Sequence, residues 1–330
     1  MQLKHKIPGI IPTPEEMERR LQEAKDRRDA SWSRLCEKEK ELKVIDFHVH
    51  TFPEKIAARA LEQLSHDSGS RPFTDGTVKE LRQSMKEAGV DLSVVLPVVT
   101  NPAKVAHINL SAAEQNEHVD ETGVLSFAGI HPAAENYRVL LKQAKELGFR
   151  GIKLHPDYYG ISFDDPRTMR IIDRASELDM IVITHAGTDI GLYPPVCCTV
   201  DSIVRVMDTV APPKLVAAHM GGWNNWDEVL TKLAGRPLWV DTAFSIGEIE
   251  WLSPEAEKYG FHQLADEDFI RLVRAMGTDR VLFASDSPWA EQKDYVNRIS
   301  ALPFTEEEKE QIFAGNAKRL LGIDPKQEKS

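Results

Sequence analysis

The chain has 330 residues, 42% of them apolar and 28% charged, with a net charge of −11. That composition excludes a disordered chain, and the acidic balance with no basic patch argues against a nucleic-acid surface. No apolar run is long enough to span a membrane, Met1–Pro8 lacks an apolar leader, and Cys36, Cys197 and Cys198 cannot build a disulfide framework, so a cytoplasmic protein without a membrane partner is expected.

Residues 1–43 differ from the rest. Thr13-Pro14-Glu15-Glu16 reads as an N-cap, a proline at the first helical position and a glutamate at the third. A charged helix to about Leu42 follows, with a thin apolar stripe of Met17, Leu21, Ala24, Trp32 and Leu35 that breaks at Arg28. The reading adopted is a solvated arm lying on the domain, and the alternative is a homo-oligomerisation element.

From Val44 onward, strands and helices alternate. The apolar or β-branched runs are Val44–His50, Leu92–Val99, Leu125–His131, Gly151–His155, Ile181–His185, Leu215–His219, Leu238–Thr242 and Val281–Ser285. Amphipathic stretches between them, such as Val139–Leu147, Met169–Leu178 and Asp266–Met276, read as helices. Eight such units predict an α/β fold of the (β/α)₈ barrel type over residues 44–323. An open doubly wound sheet is the alternative, but no Gly-x-Gly-x-x-Gly turn follows a strand. Asn316–Gly322 reads as a closing helix with a glycine stop, and 324–330 as a frayed tail.

Six of the eleven histidines end a predicted strand: His48, His50, His131, His155, His185 and His219, and Asp286 ends the eighth. In a barrel these ends surround one mouth. His48 and His50 are two apart on one strand, so both face the mouth and can share a divalent cation. His185 is a natural third nitrogen ligand and Asp286 a carboxylate ligand. Three imidazoles and one carboxylate suit Zn²⁺, with Mn²⁺, Fe²⁺, Co²⁺ and Ni²⁺ also admissible. His219, before Gly221-Gly222, is read as an acid/base group, with ligation as the alternative. Lys153 and His155 share one strand face and are assigned to substrate binding. A carbamate on Lys153, or pairing of that lysine with Asp241 or Asp46, is the alternative. His131 is read as either a hydrogen-bond support or a structural residue. Trp223, Trp226 and Trp289 are candidate pocket walls, and Cys197-Cys198 a buried loop pair. No Gly-x-Ser-x-Gly turn or phosphate loop points to serine-hydrolase or kinase chemistry.

These motifs resemble the amidohydrolase superfamily, in particular its amidohydrolase-related branch, which includes aminocarboxymuconate-semialdehyde decarboxylase and its relatives. The resemblance spans about Val44 to Ile323. It rests on Asp46-Phe47-His48-Val49-His50, Gly148–Pro156, Thr184-His185-Ala186-Gly187, Ala218-His219-Met220-Gly221-Gly222, Phe283–Pro288 and Asn316-Ala317. It implies that the family's metal ligands map onto His48, His50, His185 and Asp286, and its acid/base histidine onto His219. Members of the decarboxylase group often use an arginine after the first strand, a region that here holds Arg59 and Arg71. The expected function is a metal-dependent hydrolase of a small-molecule substrate, with non-oxidative decarboxylation as the alternative on the same site. A metal-loaded binding barrel without turnover is a third reading.

Overall fold

A computed structural model describes residues 14–192, 194–254 and 260–323. The frayed tail expected at 324–330, the N-cap expected at Thr13 and the side chains of Met17 and Leu21 lie outside the described residues.

Nine parallel ladder segments form the sheet: β1 Ile45–Val49, β2 Leu92–Val95, β3 Val124–Ser126, β4 Ala128–Gly129, β5 Gly151–Leu154, β6 Ile181–Thr184, β7 Leu215–Ala217, β8 Trp239–Asp241 and β9 Val281–Leu282. β3 and β4 are two halves of the expected third strand, parted at Phe127. The Phe127 amide still donates to Val95 O at 2.9 Å, so the strand runs on. The sheet closes between its last and first strands: Phe47 N donates to Phe283 O at 2.9 Å and Asp286 N to His48 O at 2.9 Å. The architecture is a (β/α)₈ barrel.

The strands are buried on both faces, which is why they read as continuous apolar runs rather than alternating ones. Phe47, Val94, Phe127, Ile183, Val216 and Leu282 belong to an inner cluster. Val49, Val95, Ile152, Val182, Val240 and Phe283 pack outward against the helices. Amphipathic helices cover that outer layer at Tyr137–Glu146, Pro166–Glu177 and Asp266–Met276. Asp165 caps the second of these by accepting from Arg167 N, with Pro166 at the first helical position. The closing helix Asn316–Leu321 stops at Gly322, whose φ of 73° suits a residue without Cβ.

The N-terminal helix spans Pro14–Glu37 and is followed by a short 3₁₀ turn at Glu39–Glu41. Its Leu35, with Leu42 beyond it, enters the inner cluster and plugs the end of the barrel from which the strands start. The sequence reading took Arg28 as the point where the packed stripe breaks. Instead Arg28 is only 7% exposed and meets Glu117 at 3.5 Å. Polar side chains form this face as much as apolar ones: Ser31 and Arg34 both donate to Asp120 at 2.5 Å. Among the described residues no helix is long and apolar enough to cross a membrane.

Candidate metal centre

The site grows from the end of β1. Its register shifts between Asp46 and Val49, a local bulge. Asp46 anchors that bulge. Its buried carboxylate accepts from Ser285 N (3.0 Å), Ser285 Oγ (2.5 Å), Gln292 Nε2 (2.8 Å) and His48 N (3.3 Å). These bonds tie the start of the site on β1 to the segment that carries Asp286. Burial outweighs the bonds and pushes the Asp46 carboxyl up to about 6.

His48 and His50 then face one point, with their Nε2 atoms 3.2 Å apart. The other ring nitrogens fix the tautomers. His48 Nδ1–H donates to Asp241 Oδ2 at 2.9 Å, and His50 Nδ1–H donates to Leu96 O at 2.9 Å. Both Nε2 lone pairs are therefore turned to the same place. Asp286 Oδ1 joins them, 3.5 Å from His48 Nε2 and 3.3 Å from His50 Nε2, and is buried without a hydrogen-bond donor. Asp286 adopts a φ of 72°, which turns it off the strand toward the histidines rather than onto a following helix as a cap.

Three acceptor atoms crowded in this way repel one another unless a cation lies between them. Ligands of a tetrahedral centre with bonds of ~2.0–2.1 Å are separated by ~3.3–3.4 Å. The observed 3.2, 3.3 and 3.5 Å bracket that edge, so the donor set fits a divalent metal ion. Burial holds the His48 and His185 pKa values well below the ordinary imidazole range, which keeps both rings in the neutral, ligating form.

Lys153 is fully buried on β5, with its Nζ 3.0 Å from His48 Nε2. Burial lowers its pKa to about 8. Asp241 most, with Asp286 and Asp189 also, favours its ammonium form, whereas Asp46 is engaged with Ser285 and Gln292.

His185 and His219 lie beside this group. His185 Nδ1 is 3.0 Å from His219 Nε2, and His219 Nδ1–H donates to Ala243 O at 2.9 Å. Two loops are clamped together to achieve this. Trp223 N donates to Ala186 O at 2.9 Å and Thr188 N to Trp223 O at 3.0 Å. A Cβ on Gly187 would stand 2.2 Å from Trp223 N, so this approach requires glycine. Trp223 and Trp226 are themselves buried and hold the loop: their indole N–H groups donate to Phe244 O and His219 O.

His48, His50 and Asp286 thus form one close set. His185 belongs to a second set, with His155 and Asp189. His155 Nε2 lies 3.3 Å from Asp189 Oδ2, and the His155 and His185 rings stack at 4.3 Å with planes 10° apart. Imidazole lone pairs lie in the ring plane, so two stacked rings cannot both point at one ion. The second set therefore does not fit a metal as it stands. His131 sits apart: its Nδ1 accepts from Ala133 N at 3.0 Å and its ring packs on Tyr159, a turn-stabilising role. Cys198 is buried, and its carbonyl accepts from Gly187 N at 2.9 Å. Arg59 and Arg71 are exposed, and Arg71 pairs with Glu250 at 3.2 Å. Asp189 went unnoticed in the sequence because it lies in a loop with no strand-end signal.

The amidohydrolase family model matches residues 45–323. A curated relative, 2-amino-3-carboxymuconate-6-semialdehyde decarboxylase of Dictyostelium discoideum, is 25% identical over 204 residues, 54% of this chain and 55% of that protein. The chain thus matches about half the length of that relative. Among solved structures, 2,6-dihydroxybenzoate decarboxylase from Rhizobium aligns with a TM-score of 0.62 at 16% identity, over 85% of this chain and 99% of that one. A 5-carboxyvanillate decarboxylase from Novosphingobium aromaticivorans, solved with bound manganese, aligns at 0.63 and 14% identity, over 86% and 98%. At these identities the two structures establish the shared fold.

Proposed function

The chain belongs to the amidohydrolase family, and from that premise we propose that it is a metal-dependent carboxy-lyase removing CO₂ from a small unsaturated or aromatic carboxylate. The observation that carries the choice over hydrolysis is the curated relative, whose named activity is decarboxylation. The manganese-bound neighbour supports a divalent ion in the mouth. The near-tetrahedral spacing of His48, His50 and Asp286 favours Zn²⁺ among the candidates.

His48, His50 and Asp286 would hold the ion, with His185 as the proposed fourth ligand. A bound divalent ion supplies positive charge that stabilises negative charge developing on substrate oxygens. Lys153 places a second positive charge beside that point and would orient the substrate carboxylate. His219 donates its Nδ1–H to Ala243 O, so Nε2 is the position from which it can move a proton. In the reaction the bond between carbon and the carboxyl group breaks and its electron pair stays on the carbon. Solvent first protonates His219 at Nε2; that proton passes to the carbon, and the ring returns to its neutral Nδ1–H form. His155, held by Asp189, would line the substrate side of the mouth.

Hydrolysis is the second reading, and one observation favours it: Asp286 Oδ1 is a buried carboxylate oxygen without a donor, suited to taking a proton from water. A panel of hydroxybenzoates and enoic carboxylates turned over in D₂O and in H₂¹⁸O separates the two. The proposal expects CO₂ in one-to-one ratio with substrate loss and solvent deuterium on the vacated carbon. Solvent ¹⁸O in a new carboxylate or hydroxyl, without CO₂, would establish hydrolysis instead.

A further inference from the structure

At the opposite end of the barrel from the mouth, the N-terminal helix and the barrel wall line an open crevice of about 160 Å³. Its walls include Arg28, Asp29 and Trp32 from the N-terminal helix, Lys145 from the last turn of the helix Tyr137–Glu146, and Phe149 and Arg150 from the segment entering β5. Three cations and one carboxylate line it, and Glu117, outside the lining, answers Arg28, which leaves an excess of one positive charge. Arg150 packs its guanidinium on the Trp32 ring at 4.0 Å. Among the described residues that guanidinium has no carboxylate partner and no hydrogen-bond acceptor, so its edge donors are unspent. Arg28 is nine-tenths buried, and its Nε has no partner although NH1 reaches Glu117. Asp29 and Asp179 act on Arg150 through space without bonding it, and Asp179 is engaged with Lys214 at 2.6 Å.

A buried guanidinium nitrogen without a partner is costly, as at Arg28 Nε, while Arg150 is half-buried. An arginine stacked flat on an aromatic ring keeps its planar fork free for bidentate contact with an oxyanion. We propose that this crevice is a binding site for a small oxyanion, a phosphate or a carboxylate, held by Arg150 and Arg28 with Lys145 at the rim. The site joins an element outside the family match at residues 45–323 to the barrel, so an anion there fastens the N-terminal helix to the wall. Arg150 immediately precedes β5 and His155 immediately follows it, which puts the crevice roughly 16 Å along the strand from the mouth.

The test is calorimetric titration of the full-length chain with inorganic phosphate and, separately, with acetate, a carboxylate without the unsaturated or aromatic frame proposed for the mouth, at ionic strength fixed by sodium chloride. Saturable one-to-one binding of one of the two is expected, and which one binds identifies the source of the oxyanion. Arg150→Met should weaken it at least tenfold and Lys145→Met severalfold. His50→Ala, which disrupts only the mouth, should leave it unchanged. Should Arg150→Met not fold, Arg150→Lys keeps the charge without the planar fork and is expected to show the same direction of loss. Absence of saturable binding by either anion, binding that survives the Arg150 substitution, or binding lost in His50→Ala would overturn the proposal.

Discussion

Asp241 accepts the Nδ1–H of His48 at 2.9 Å across the barrel, and its other oxygen accepts the backbone N–H of His219 at 2.8 Å. One buried carboxylate therefore sets the tautomer of a proposed ligand and the seat of the proposed proton carrier.

The first prediction follows from that pair. Asp241→Asn can present its amide nitrogen to His48 Nδ1, which disfavours the tautomer that aims Nε2 at the ion. Metal affinity should fall about 10–100-fold, the usual effect of losing such a support. Competition against a chromophoric chelator measures it, and an unchanged affinity would remove Asp241 from the account.

His219 separates ligand from catalyst. His219→Asn should keep the metal and lower the rate about 10²–10⁴-fold. Elemental analysis and turnover on one preparation read both quantities. Loss of metal together with rate would make His219 a ligand instead.

A pH prediction rests on Asp157, away from the proposed ligands. Burial pushes its carboxyl up to about 6, with nearby Asp189 adding to the effect, while the Cys197 N–H donates to Asp157 Oδ1. Because the folded pKa is raised, the folded state holds this proton more tightly than the unfolded one. Its contribution to stability is thus greatest below about 4 and declines as pH rises to about 6. The decline is at most about 3 kcal/mol. Asp157→Asn retains the oxygen that accepts from Cys197 but cannot titrate. The stability of wild type relative to this variant, followed by urea unfolding, should fall from pH 4 to 6, and a flat difference would contradict the shift.

The N-terminal helix contributes a core residue. Leu35 is 3% exposed and packs into the inner cluster. Leu35→Ala should cost about 2–5 kcal/mol of unfolding free energy. An effect below about 0.5 kcal/mol would mean that the helix lies on the barrel without sealing it.

Period-two spacing made His48 and His50 legible as a pair, and the apolar runs made the barrel legible as eight strands. The ladders end earlier than the apolar runs do. His155 and His185 follow the last ladder residue directly, and His219 comes two residues later, because side chains aimed at the mouth belong to the first turn of the loop. Asp241 was visible only as a partner for Lys153. Its bond to His48 joins residues 193 apart, and nothing local to either signals it. Asp46 is similar: the motif places it on the histidine strand, yet it binds Ser285 and Gln292 on the far side of the closure. Arg28 read as a break in an apolar stripe, because ion pairing with Glu117 across the helix face leaves no periodic trace.

The measurement that tests the central claim most directly is the metal content of the purified wild-type chain and of His50→Ala, with turnover assayed on the same samples. About one divalent transition metal per wild-type chain is expected, by the donor count at His48, His50 and Asp286. The variant should lose both metal and activity. A wild-type chain that is metal-free yet fully active, or a His50→Ala chain that retains metal at full occupancy, would contradict the metal centre on which the proposed chemistry depends.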